Sequence, residues 1–222
     1  MARAQSMLRP VIGLLGGTFN PIHFGHLRMA QELAQSLALD EVRFIPAANP
    51  PHKVAPSVSA TDRAEMVKLA IADNTAFKFD DTELCRSGVS YMVDTLQSLR
   101  TELSDETSLV LFLGGDAFSE FHTWHRWEEI INLCHIALVQ RPTAISAAPL
   151  PKALKLFLHN HHTDNIDDLH QTSVGYVITQ AITALDISST AIRNQLTAKQ
   201  SARYLMPDNV IDYIKHHQLY RA

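Results

Sequence analysis

This sequence of 222 residues predicts a parallel α/β sheet with helices packed on both faces. Three observations carry that expectation. Short apolar runs recur along the chain, and several are apolar at every successive position, as strands buried on both faces are. Segments with apolar residues at helical spacing lie between those runs. Strands that alternate with helices in this way assemble a parallel sheet through right-handed crossovers.

The elements follow in order. VIGLL at 11–15 is the first strand, ended by Gly16 and Gly17. After Gly25 comes a helix with Leu27, Ala30, Leu33, Ala34 and Leu37 on one stripe. VRFI at 42–45 is the second strand, and PAANPPHK follows it. Asp62, with Glu65 three residues on, is read as the cap of the next helix. FKF at 77–79 is a short third strand, and Ser90 is read as the cap of a helix carrying Met92, Leu96, Leu99 and Leu103. LVLFL at 109–113, IALV at 136–139 and YVI at 176–178 are three further strands. ALDI at 184–187 is read as a last strand before a helix with Ile192 and Leu196 inward. The sum is a Rossmann-like sheet. The chain is read as a single domain, 1–222, with a tail at 1–10 and a small helical part at 189–222. An excursion at 141–172 breaks the rhythm and holds one short helix near 152–159.

Composition removes several classes of function. With 46% hydrophobic residues and 19% charged, the chain can bury a core, which a disordered chain cannot. Its 19 basic and 23 acidic side chains give a net charge of −4, against the basic surplus of a general nucleic-acid binder. No apolar run approaches the ~20 residues that cross a bilayer, and the N-terminal residues lack the apolar region and cleavage site of a secretory signal. Cys85 and Cys134 stand alone, without a CxxC partner, and are read as buried small hydrophobes in a reducing compartment. The expected location is the cytoplasm. His159, His161 and His162 lack a carboxylate or Cys at ligand spacing, and are read as solvated rather than as a metal patch.

In such sheets ligands bind beyond the carboxyl ends of the strands. After the first strand comes Gly16-Gly17-Thr18-Phe19-Asn20-Pro21-Ile22-His23-Phe24-Gly25-His26. The paired glycines let the backbone turn and approach a ligand closely. His23 and His26, three apart at a helix start, fall on one face, where free amides and the helix dipole favour an anion. Two imidazoles there can donate to phosphate oxygens. The pattern is neither GxxxxGK[ST] nor GxGxxG. A second anion site is read at Ser188-Ser189-Thr190-Ala191-Ile192-Arg193, where hydroxyls open a helix and a guanidinium follows one turn in. Neither site holds a nucleophile–base pair. Together they point to a triphosphate held for direct in-line attack, which needs positioning and charge stabilisation.

GGTFNPIHFGH, with HxGH at 23–26, and ISSTAIR at 187–193 resemble the paired signatures of the nucleotidyltransferase superfamily that includes the bacterial nicotinate-nucleotide adenylyltransferases. The likeness continues through PPHK at 50–53, SYMVDTL at 90–96, GGD at 114–116, FHTWH at 121–125, QRP at 140–142 and YLMP at 204–207. PPHK, the SYxxDTL pattern and HTW are the parts that resemble the nicotinate branch. The resemblance implies transfer of AMP from ATP to nicotinate mononucleotide, giving deamido-NAD and pyrophosphate, with Mg²⁺ on the triphosphate. It implies that His23 and His26 contact the ATP phosphates, that Ser188, Ser189 and Arg193 hold the β and γ phosphates, and that the backbone of Gly17, Thr18 and Phe19 lines the cleft. Lys53 is expected at the acceptor's phosphate, Asp116 at ribose hydroxyls, and Arg141 at the nucleotide side. Tyr91, Met92, Trp124 and His125 are expected around the acceptor's pyridine ring, with Trp124 stacked on it and Trp127 in the core. Backbone amides near Met92 and His125 are expected to meet the ring's carboxylate and to disfavour the amide, whose NH₂ would face a donor.

The chain departs from the commoner pattern at Asn20, where Asp is frequent, at Met92, where Thr is usual, and at Gly115, where a side chain is common. Two alternatives remain at this stage: the same chemistry on another acceptor, such as nicotinamide mononucleotide or phosphopantetheine, and a nucleotide sensor without turnover. Small-molecule partners are expected, without nucleic acid or membrane. A homo-oligomer is compatible with the sequence.

Overall fold

The computed structural model describes residues 9–51, 56, 58–140, 150–183 and 185–221. Most of the expected tail, and residues 141–149 of the excursion, lie outside them. Seven parallel strands form one sheet in the order β3-β2-β1-β4-β5-β7-β6. They are β1 (Val11–Gly17), β2 (Glu41–Pro46), β3 (Phe77–Phe79), β4 (Ser108–Gly114), β5 (His135–Gln140), β6 (His162–Thr163) and β7 (Val177–Ala181). Leu14 lies opposite Arg43 of β2 and Leu111 of β4, so β1 is paired along both edges.

The runs are continuously apolar because both faces are covered. Val11, Leu15, Val42, Phe44, Val110 and Phe112 face one side. There they meet α1 (Phe24–Ser36), α2 (Ala60–Ile71), α8 (Ser189–Thr197) and α9 (Asp208–His216) through Leu33, Met66, Ile192 and Ile214. Their neighbours Ile12, Leu14, Ile45, Leu109, Leu111 and Leu113 face the other side. That side is covered by α3 (Met92–Glu102), α4 (Gly115–Ser119), α5 (Trp127–Ile130) and α6 (Lys152–His161). Burying one such side chain contributes about 1.5–3 kcal/mol. Among the described residues no helix is long and apolar enough to cross a membrane.

Several expectations need correction. The cap of α2 is Ser59, whose Oγ accepts the Asp62 N–H at 3.0 Å, so Asp62 sits inside the first turn. Ser90 does not cap α3. Its Oγ instead accepts the N–H groups of Ala48 and Asn49, at 3.1 Å each. The described part of ALDI is not a strand: β7 already pairs along β5, and Leu185 and Ile187 turn to line a cleft. The excursion is more than a loop with one helix. It adds β6 to the sheet edge and a short helix α7 (Asp167–Gln171). Cys134 is buried as expected, whereas Cys85 is exposed on the turn that follows Asp81. His161 is not merely solvated, since its Nδ1 bonds the Gly175 carbonyl at 2.9 Å.

The connections place β2 on one side of β1 and β4 on the other. Loops leaving these strands therefore diverge, and a crevice opens at their carboxyl ends.

Candidate active site

A cleft of about 620 Å³ opens where β1 ends, within the size range of small-molecule sites. One wall is the loop that leaves β1, with Gly17, Thr18, Phe19, His23 and His26. The opposite wall is the start of α8, with Ser188, Ser189 and Arg193, and Asp116 from the first turn of α4 joins the lining. The ATP-side residues expected from the sequence thus meet in one place, except Arg141, which lies outside the described residues.

The loop's local structure explains its composition. Phe19 is buried with a left-handed φ of 46°, and its ring meets His26 edge-on at 5.1 Å. A Cβ on Gly17 would stand 3.1 Å from that phenyl ring. His23 is the extended N-cap of α1, and its backbone N–H donates to His26 Nδ1 at 3.3 Å. In the neutral imidazole this leaves Nε2 of His26 as the protonated donor. The two rings stack, centroids 3.7 Å apart and planes 27° apart. Gly25 makes room for them: a Cβ there would lie 3.0 Å from the His23 ring.

The second wall is stitched to the first. Ser188 caps α8 by accepting the Ala191 N–H at 3.2 Å. Ser189 Oγ donates to the Pro21 carbonyl at 2.9 Å. Arg193 donates to the Asn20 carbonyl at 2.9 Å and to Thr190 Oγ at 3.2 Å. The amides of the first helical turn have no acceptor within the helix, and the dipole there favours an anion.

The acceptor-side residues form a separate group. Tyr91 and His125 bring their rings to 4.4 Å, and Tyr91, Met92 and Trp124 pack half-buried against the second core. Met92 reaches the end of β1, where a Cβ on Gly16 would meet its Cε at 2.7 Å. Trp124 stands edge-on to Phe121 at 5.5 Å, while Trp127 packs on Phe121 and Phe157, the core role expected of it. Lys53 lies outside the described residues.

The cytidylyltransferase-like family model matches residues 14–195. A protein of Dechloromonas aromatica (strain RCB) named "Probable nicotinate-nucleotide adenylyltransferase" is 46% identical over 95% of this chain and 97% of its own length. One of Pseudomonas fluorescens with the same name is 47% identical over the same shares. The chain belongs to the nicotinate-nucleotide adenylyltransferase family. The solved Plasmodium falciparum nicotinic acid mononucleotide adenylyltransferase complexed with NaAD has the same fold, with a TM-score of 0.72 at 17% identity over 96% of this chain and 98% of that one.

Two residues of this adenylyltransferase family member, Arg63 and Glu83, and one long-range contact, between Asn20 and Tyr220, escape sequence reasoning. Arg63 is 1% exposed and donates to the carbonyls of Thr18, at 2.6 Å, and Ala48, at 3.2 Å. Burial lowers its pKa and Tyr220 acts against that, but guanidinium stays protonated in proteins, so a positive charge sits behind the loop that leaves β1. No local pattern marks a cation in a helix as buried. Asn20 and Tyr220 are joined by a hydrogen bond across the length of the chain, which no local pattern signals. On the acceptor side, Glu83 is buried, accepts from Thr95 Oγ at 2.9 Å, and is pushed up in pKa by burial.

Proposed function

We propose that this chain transfers AMP from ATP to nicotinate mononucleotide, releasing pyrophosphate and forming deamido-NAD. The observation that carries the reading is the stacked His23–His26 pair facing the Ser188–Arg193 helix start across one cleft. An acceptor phosphate oxygen attacks the α-phosphorus as the bond to the leaving pyrophosphate breaks, and no protein atom becomes covalently attached. Charge grows on the α-phosphoryl oxygens and on the departing bridge oxygen. His26 Nε2 and the His23 ring are placed to donate to them, which stabilises the transition state more than the ground state.

Ser188, Ser189 and Arg193 hold the β and γ phosphates, helped by the amides of the α8 start. The backbone of Gly17, Thr18 and Phe19 lets the triphosphate lie close, Asp116 accepts from ribose hydroxyls, and Arg141 closes the nucleotide side. Lys53 reaches the acceptor's phosphate, and Trp124 stacks on its pyridine ring beside Tyr91 and His125. Met92 opens α3, where first-turn amides lack helical acceptors and suit a ring carboxylate. Asp116 is the single carboxylate lining the cleft among the described residues, a set that fits a divalent cation carried in on phosphate oxygens. We read that cation as Mg²⁺, whose bound charge offsets that of the triphosphate. The whole chain is read as one nucleotidyltransferase unit acting in the cytoplasm on small molecules, and able to form a homo-oligomer.

His23→Ala tests the scheme. Turnover is expected to fall by roughly a hundredfold or more while ATP affinity changes little, because the donated hydrogen bond strengthens as charge develops. Steady-state pyrophosphate release and equilibrium ATP binding measure the two separately. Equal losses in both would make His23 a binding residue only.

A further inference from the structure

The segment after α9 returns to the phosphate loop. Tyr220 is 8% exposed, and its hydroxyl donates to Asn20 Oδ1 at 2.6 Å. The carbonyl of the same Asn20 accepts from Arg193 Nη1 at 2.9 Å, and the carbonyl of Tyr220 accepts from Thr197 Oγ of α8 at 3.3 Å. Burial pushes the phenol's pKa up while Arg193 and Arg63 pull it down, so the group is a neutral donor near Arg193 of the cleft wall and the buried Arg63 behind it. Asn20 follows Phe19, whose left-handed backbone is costly for a side chain of that size and persists where the surroundings hold it.

We propose that Tyr220 is a positioning residue for the triphosphate. Its hydroxyl fixes the Asn20 side chain, and the Asn20 carbonyl in turn fixes Arg193, so ATP meets a loop and a guanidinium already in place. Ordering these groups in advance removes part of the entropy cost of binding. The assignment rests on reading this cleft as the triphosphate site.

Tyr220→Phe keeps the ring's packing and removes the donor. With the purified chain, Mg²⁺ and both substrates, the KM for ATP is expected to rise roughly three- to tenfold, the scale of one lost neutral hydrogen bond, with the KM for nicotinate mononucleotide unchanged. In Asn20→Ala the same substitution is expected to add nothing further, since the acceptor is already gone. An unchanged ATP KM, equal rises in both KM values, or additive effects with Asn20→Ala would overturn the proposal and leave Tyr220 a packing residue. Arg193→Ala separates the two levels. If it weakens ATP while Tyr220→Phe does not, only the positioning role falls; if it leaves ATP unaffected, the triphosphate reading falls with it.

Discussion

His23 and His26 can stack because residue 25 between them carries no side chain. The His23 ring lies 3.0 Å from where a Cβ of residue 25 would stand, and the Ile187 carbonyl lies 3.5 Å away. Gly25→Ala therefore forces the His23 ring to shift by a few tenths of an ångström against a partner ring 3.7 Å away. Gly25 lies in the first turn of α1, outside the helix middle where alanine gains most over glycine, so the melting temperature is expected to change little. Turnover is expected to drop roughly tenfold, since small displacements of a catalytic group are expensive. Thermal melting beside pyrophosphate release checks this, and a variant with full turnover would mean that the ring position is not critical. Arg63 illustrates a second principle at the same scale. A buried cation held by the carbonyls of Thr18 and Ala48 ties the loops after β1 and β2 together and lends positive potential to the cleft wall.

Among the elements, β5 carries a pH dependence unrelated to catalysis. His135, fully buried at its first position, donates from Nε2 to the Thr172 carbonyl at 3.0 Å and accepts the Tyr176 N–H at Nδ1 at 3.1 Å. Protonating Nδ1 would set two donors against each other. Burial pushes the pKa from 6.5 down to about 4, and the bond to Thr172 offsets only part of that. Above pH ~6.5 the ring is neutral folded and unfolded, and it contributes no pH dependence. Below that, the unfolded chain takes up a proton that the folded chain refuses until about pH 4, so stability falls across this window by about 3 kcal/mol. His135→Asn retains an acceptor for Tyr176 and does not titrate. Its urea midpoint, compared with the parent's between pH 7 and 4, is expected to show the parent losing stability more steeply; parallel curves would contradict this. The strands themselves were legible because continuous apolar runs record burial on two faces. Helix starts were less so. Ser59 and Asp62 both suit a cap, and Ser90 suits one beside Tyr91, which does not; only tertiary contacts decide, and Ser90 is claimed by the amides of Ala48 and Asn49.

At the scale of the molecule, the sheet order brings the ends of β1 and β4 together and gathers residues from 17 to 193 around one cleft. GGTFNPIHFGH and ISSTAIR were readable because each is local, a loop or cap with its own residue chemistry. The bonds that join them were not, because Ser189 to Pro21, Arg193 to Asn20 and Tyr220 to Asn20 span 168, 173 and 200 residues. Such pairs leave no periodicity in the chain. The proposed function couples this cleft, read as the ATP site, to residues at the start of α3, whose first-turn amides suit a carboxylate. Pyrophosphate release with ATP and Mg²⁺, comparing nicotinate mononucleotide with its amide, tests it most directly. The account predicts a preference for the acid of at least about tenfold, the effect of facing an amide NH₂ toward a buried donor. Equal use of both, or no release with either, would contradict it.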